Sequence, residues 1–323
     1  MPAPLADEPP EPLEIRTSDG HALGASLREP RGRRVYGTAI LSHPMFANKS
    51  VFSRPRGAGV EQLFFQEGWR TLAFDFRGHG ESTLGGKRRA PDEAPWGYDD
   101  LVRIDLPTVV QAARDRWPRS RLVVVGHSLG AHIALAALSA RLVEMDALVM
   151  VAGNVWLRRL EPSVRIWLLK LASISGMAAL AARHRYFPAR ALRLGSDDEA
   201  APYVDDLARF ARRGAWVSRD GTLDYEAGIA AIATPTFSLT SSGDKIYCRT
   251  ESARRLLAPM PRCTHHEVTA CDDGSAAPGH MGLVTNGRSR EGWKRVLAWL
   301  EGSPWTAPTE VGGSQPPPTS LSQ

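Results

Sequence analysis

Cysteine is scarce: Cys248, Cys263 and Cys271 are the three in 323 residues, an odd number with no Cys-x-x-Cys spacing. That excludes a disulfide framework and a zinc site of the paired-cysteine kind, and it fits a reducing compartment, the cytoplasm. A long uninterrupted apolar run is also missing. The most apolar stretch, 164–182, is broken by Arg165 and Lys170, so it predicts a packed amphipathic helix and no stable membrane insertion. Residues 1–12 are proline-rich and acidic without an apolar core, which reads as a disordered tail and not as a signal or an anchor. Residues 303–323, rich in Pro, Ser, Thr and Gly, read as a second tail. Concentrated charge of one sign is lacking too. Forty basic side chains against 35 acidic ones leave +5, and the basic ones are scattered at Arg31, Arg33 and Arg34, at Lys87, Arg88 and Arg89, and at the pairs Arg158-Arg159 and Arg212-Arg213. No nucleic-acid partner is expected from such solvated faces.

What is present is an alternation of strand-like and helix-like segments in a chain that is 43% hydrophobic and 23% charged, enough for one large α/β domain with an insertion. Leu13–Arg16 and Ala22–Leu27, joined by Ser18-Asp19-Gly20, predict an antiparallel hairpin at a sheet edge. Strands are predicted at Thr38–Ser42, Thr71–Phe76, Leu122–Val125, Ala147–Ala152, Thr236–Thr240 and Glu267–Ala270. Helices are predicted at Gly59–Glu67, from a cap at Asp99 or Asp100 towards Trp117 with a bend near Pro107, at Ala131–Leu142 and at Arg290–Glu301. From Asn154 to about Gly228 no strand-length β-branched run occurs. The layout is therefore a mostly parallel central sheet with helices on both faces, its core at 13–153 and 229–302, interrupted by a helical insertion at 154–228.

The chemistry centres on Arg121-Leu-Val-Val-Val-Gly-His-Ser-Leu-Gly-Ala-His132. An apolar strand passes through Gly-x-Ser-x-Gly into an alanine-rich helix, so Ser128 stands at the tip of a turn too tight for side chains at positions 126 and 130. The helix that follows aims its free N–H groups and positive dipole end at that serine, which suits developing negative charge. This stretch resembles the nucleophile elbow of the α/β-hydrolase family. The resemblance implies an α/β-hydrolase fold with the insertion as a helical cap over Ser128, and a triad in the chain order serine, acid, histidine. Asp75-Phe-Arg-Gly-His-Gly-Glu-Ser82 matches a second signature of the family, in which Asp75 and Arg77 would tie loops together while His79, placed before the serine, would be a loop histidine. Trp96-Gly-Tyr98, Arg185-Tyr-Phe-Pro-Ala-Arg190 and Trp216 are similar to features of a bacterial subgroup of predicted α/β-hydrolases.

Within that frame Asp244, on the flexible turn after Thr236–Thr240, is the expected orienting acid, in preference to Asp272 and Asp273 of a surface loop or to Asp220 and Asp224. His280, in Ala-Pro-Gly-His-Met-Gly, is the expected general base. His265 and His266 would face opposite ways if strand-borne, so at most one could reach the site, and His132 is read as a packing or hydrogen-bonding neighbour. His43-Pro44-Met45 falls where the family carries His-Gly-x. Pro44 has no N–H, so the oxyanion donors would be the backbone N–H groups of Leu129 and of Met45, or failing that Phe46. Phe46, His127, Trp156, Trp167 and Met281 are expected to bind substrate. Trp156, Trp167, Leu168, Leu171, Ile174 and Met177, at near-helical spacing, predict an apolar stripe, with Arg165 and Lys170 turned outward.

The resulting expectation is a serine hydrolase that cleaves a small-molecule carboxylic ester, thioester or amide through an acyl-enzyme, without a metal or organic cofactor. A serine at the elbow argues against the family's dehalogenase and epoxide-hydrolase branches, which use aspartate there. An acyltransferase with the same triad, or a binding protein of hydrolase fold, are the alternatives. The sequence leaves the oligomeric state and the acyl group open.

Overall fold

The computed structural model describes residues 9–32 and 34–303; of the tails expected at 1–12 and 303–323 most lies outside them, but Glu11 and Pro12, expected in the first tail, are part of the first strand because they pair with Leu27 and Ser26. The chain order is β1 (Glu11–Arg16), β2 (His21–Arg28), β3 (Gly37–Ser42), α1 (Val60–Gln66), β4 (Trp69–Phe74), β5 (Thr83–Leu84), α2 (Tyr98–Asp100), a π-helical turn at Leu101–Asp105, α3 (Leu106–Arg116), β6 (Leu122–His127), α4 (Leu129–Ser139) and β7 (Ala147–Val151). There follow α5 (Val164–His184), the short strands β8 (Tyr186–Phe187) and β9 (Glu199–Ala200), α6 (Ala201–Arg213), β10 (Thr236–Ser241), α7 (Thr250–Leu257), β11 (Cys263–Val268), α8 (Gly282–Thr285) and α9 (Arg290–Gly302). The main sheet runs β1-β2-β4-β3-β6-β7-β10-β11, with β5 beside β2. From β4 to β11 every pairing is parallel, while the β1-β2 hairpin and β2-β4 are antiparallel.

A parallel sheet buried on both faces needs apolar side chains at odd and even positions alike. Here the alternation sorts them into two cores. Val123, Val125, Val149, Val151, Phe237 and Leu239 pack with Val60 and Phe64 of α1 and with Trp293, Val296 and Leu300 of α9. Leu122, Val124, Leu148 and Met150 point the other way, towards α3, α4 and the insertion. Between β7 and β10 the chain leaves the sheet, and α5 and α6 pack on each other above its carboxyl edge.

Several elements depart from expectation. The last strand begins at Cys263, ahead of the predicted Glu267, because Cys263 to Val268 continue the parallel ladder with Thr236–Ser241. The helix towards Trp117 is capped by Gly97, whose N–H donates to Asp100 Oδ2 at 2.7 Å. Its irregularity lies in the π turn ahead of Pro107, where the missing N–H is tolerated in the first turn of α3. By length and composition α5 is able to cross a membrane despite Arg165 and Lys170. In this fold it packs on α6 and leaves Val164, Leu168 and Leu169 exposed.

Candidate active site

Ser128 lies between β6 and α4 with φ 51° and ψ −108°, a conformation that costs a non-glycine residue on the order of 1–3 kcal/mol. Its neighbours explain how the strain is held. A Cβ on Gly126 would lie 2.5 Å from the backbone of Ala131, and one on Gly130 would lie 2.2 Å from the carbonyl oxygen of Ser42. Either contact would push α4 off the sheet. The Ser128 N–H donates to the Val151 carbonyl at 2.8 Å, which ties the tip of the elbow to the end of the adjacent strand.

The other two members of the expected triad meet. Asp244, beyond β10, is 4% exposed. Its Oδ2 accepts from His280 Nδ1 at 2.5 Å and from the Cys248 N–H at 3.0 Å, and its Oδ1 accepts from the Tyr247 N–H at 2.9 Å. Burial works to raise the Asp244 pKa, but the bond and charge of His280 and the two backbone donors outweigh it and hold the carboxyl below its usual value. Ser128 and His280 line one cavity of about 730 Å³. From beneath, His127 Nε2 donates to the His280 carbonyl at 3.1 Å, and burial pushes the His127 pKa far down, so the ring is a neutral strut.

The same cavity is lined by Met45, Phe46, Leu129, Trp156 and Met281. Of the two expected second donors, Phe46 is engaged: its N–H donates to Glu199 Oε1 at 2.7 Å, which leaves Met45. Two expected contacts do not form. His127 is fully buried under the His280 loop, and Trp167 packs into the core, so neither lines the cavity. The stripe on α5 is rotated from the predicted one. Leu169, Lys170, Ser173, Ile174 and Met177 face the cavity, Leu168 is 57% exposed, and Leu171 packs against the core. Lys170, expected outside, is 1% exposed because its ammonium finds Glu161 Oε2 at 2.8 Å and the face of Trp156 at 5.5 Å. His265 and His266 sit on β11 and, like the carboxylates at 220, 224, 272 and 273, line no part of the cavity. Asp272 instead caps α9 by accepting the N–H groups of Arg290 and Glu291.

Residues 56–272, more than half of the chain, match the family described as serine aminopeptidase, S33. The chain belongs to that family. Its fold is accordingly of the α/β-hydrolase type. Over 140 residues it is 28% identical to lipase member N of Homo sapiens, a stretch that covers 41% of this chain and 35% of that protein; the chain thus spans about a third of the length of the curated relatives it matches. Among solved structures it is similar to an esterase of Pyrococcus furiosus (20% identity, TM-score 0.59, covering 92% of this chain and 91% of that one). It is also similar to an esterase from Exiguobacterium antarcticum (15% identity, TM-score 0.58, covering 90% and 99%). At these identities the likeness is one of fold.

Around the elbow of this S33 family member, the tertiary structure adds groups that sequence reading passed over. Asp75 accepts from the Lys49 N–H and ammonium, each at 2.7 Å, and Arg77 bonds Asp105 at 2.7 and 2.9 Å and Asp19 at 2.8 Å, the loop-tying role expected of the signature. His79 is a loop residue, as expected, but not a solvated one. It is fully buried 3.2 Å from an equally buried Glu199. The signal for Glu199 was a run of three carboxylates, Asp197-Asp198-Glu199, between Gly195 and the α6 helix. His132 also lines the cavity, its Nδ1 3.0 Å from the Tyr98 hydroxyl, and burial drives its pKa down to about 3.

Proposed function

We propose that this chain is a carboxylesterase for medium-chain acyl esters, with Ser128 as nucleophile, His280 as general base and Asp244 as the acid that orients it. The Ser128 hydroxyl gives its proton to His280 Nε2 as its oxygen bonds to the ester carbonyl carbon. The resulting oxyanion is held by the N–H groups of Met45 and Leu129. Collapse breaks the bond to the alcohol, which leaves with the proton from His280, and water repeats the sequence to free the acid. Asp244 holds Nδ1–H, so that Nε2 is the basic nitrogen and the imidazolium is stabilised. The insertion acts as a cap over Ser128. The free cysteines support a cytoplasmic site of action.

The observation that carries the substrate class is the make-up of the cavity wall. Among the described residues it contains no carboxylate; its charged members are Lys170, committed to Glu161, and Arg54. An aminopeptidase has to hold the ammonium of a free N-terminus, and a wall with cations and no anion repels it. The wall is otherwise dominated by Met45, Phe46, Val155, Trp156, Ile174, Met177, Leu207 and Phe210, which suits an acyl chain. Each methylene covered contributes up to ~0.8 kcal/mol.

A series of p-nitrophenyl esters from acetate to hexadecanoate, run beside aminoacyl amides, tests this. The expected result is a kcat/KM that rises from acetate towards octanoate and then levels or falls, with amides hydrolysed slowly. A steady fall from acetate to octanoate, with amides the better substrates, would overturn it.

A further inference from the structure

A buried ion pair, His79 with Glu199, lies behind the turn that follows β3. Phe46 occupies left-handed backbone, φ 63°, in the turn at Met45-Phe46. Both of its backbone polar groups are held by the insertion. The N–H donates to Glu199 Oε1 at 2.7 Å, and the carbonyl accepts from the Ser196 N–H at 2.8 Å and the Asp197 N–H at 3.2 Å. Asn48 adds a bond to Asp197 at 2.7 Å. Gly195 lies so close that a Cβ there would stand 2.0 Å from the Phe46 carbonyl oxygen. The strained turn is thus set by residues 195–199, in another part of the chain.

Glu199 is fully buried, and a carboxylate in that position needs a countercharge. His79 supplies it. Its Nδ1–H donates to the Arg77 carbonyl at 2.9 Å, and its Nε2 faces Glu199 Oε1 at 3.2 Å, off the line of a well-formed hydrogen bond, so the attraction is chiefly coulombic. With one nitrogen donating to a carbonyl and the other against a carboxylate, the ring is an imidazolium. His43, 5.0 Å away, is its opposite: Nδ1–H donates to the Pro44 carbonyl and Nε2 accepts the Phe76 N–H, so it stays neutral.

We infer that His79 and Glu199 are positioning residues for the oxyanion turn, the charged pair holding Phe46 so that the Met45 N–H points at the reacting carbonyl. The inference rests on the esterase reading above. Burial would lower the His79 pKa, but the charge of Glu199, with that of Asp197 behind it, raises it to about 9. The other groups packed on the ring are His43, whose pKa lies at about 3, and the edge of Trp96 at 5.4 Å; Asp197 is itself held by Arg88 at 2.8 Å. Raising the pH through about 9 strips His79 of its charge. Glu199 is then an uncompensated buried anion that is driven towards water, and the Phe46 N–H loses its strong acceptor.

The test uses the full-length protein and the best p-nitrophenyl ester. Wild-type kcat is expected to fall above pH about 9, with KM changing less than about threefold. Glu199→Ala is expected to lower kcat about 10- to 100-fold at pH 7.5, below the cost of deleting an oxyanion donor outright. Glu199→Gln keeps an oxygen for the Phe46 N–H and removes the charge, so it should restore kcat to within about tenfold of wild type and abolish the alkaline limb; His79→Gln should abolish the limb as well. If Glu199→Ala does not fold, the pH profiles of the two glutamine variants decide alone. An alkaline limb that persists unchanged in both, or a Glu199→Ala enzyme with full kcat, would overturn the inference and leave the esterase reading standing. A wild-type protein that hydrolyses no ester and takes up no fluorophosphonate at Ser128 would overturn both.

Discussion

The elbow at Ser128 and the turn at Phe46 both hold a non-glycine residue at positive φ, 51° and 63°, but they are held by different means. The elbow is set by backbone within a few residues and by the two strands beside it: glycines at 126 and 130 allow α4 to approach β3 and β6, and one hydrogen bond to Val151 pins the tip. The turn at Phe46 is held by a carboxylate and two N–H groups from 150 residues later, and that carboxylate depends on a buried histidine. A feature built from local backbone survives changes of pH and salt. One built from a buried charge pair is conditional, since removing either proton or partner leaves the other charge stranded. The two halves of the proposed oxyanion hole should therefore fail in different ways.

The largest expected effect is at the elbow itself. Ser128→Ala should abolish fluorophosphonate labelling and lower kcat by roughly 10⁴-fold or more, with an unchanged Tm; labelling that persists at another residue would reassign the nucleophile. Asp244→Asn leaves the geometry of the acid loop but presents an amide to His280, so kcat should drop by up to roughly 10⁴-fold, as the handling of tautomers in such triads requires. Gly130→Ala strikes the packing. With 2.2 Å to the Ser42 carbonyl, overpacking should cost about 1–3 kcal/mol or more and lower both Tm and the yield of folded protein. A Gly130→Ala enzyme of wild-type Tm would show that the elbow has slack.

The pH dependence of stability separates the two regions further. His79 has a raised pKa in the fold, so its contribution is complete below the ordinary histidine value of 6.5 and is lost as pH rises through about 9. Tm should decline between pH 7 and 10 in the wild type and less steeply in His79→Gln. Asp244 has a lowered pKa, so its contribution is present above 3.8 and lost as pH falls through the folded value; Asp244→Asn should flatten the acid side of the Tm profile only. The smallest effect is expected at the edge of the network. Arg88 pairs with Asp197 from a side chain that is 51% exposed, and Arg88→Ala should change stability by no more than about 1 kcal/mol and become silent at high salt.

How much of the site could be read in advance follows from the same division. The strand, glycines and helix around Ser128 are contiguous, and the chain order of Ser128, Asp244 and His280 needs only a parallel sheet whose successive loops gather at one edge. Those residues converge on one cavity and one hydrogen-bonded pair. Trp167 and Lys170 were misplaced for one reason: helical spacing identifies an apolar stripe but not its rotation about the axis, and α5 has two surfaces to bury, one against its own core and one over the cavity. Lys170 turned inward because Glu161 lies nine residues back, with Arg249 at the N-cap of α7 and Ser252 within it sharing the same carboxylate.

The amino-acid sequence by itself determined the parallel sheet, the strained serine and the loops that carry Asp244 and His280, because each is written in short-range patterns of β-branched runs, glycines and loop position. Only the tertiary structure brought His79 against Glu199, carried Glu199 across 153 residues to the Phe46 N–H and set His127 beneath the His280 carbonyl. A histidine's protonation state and a carboxylate's partner depend on what burial brings within a few ångströms, and that distance is set by packing rather than by separation along the chain.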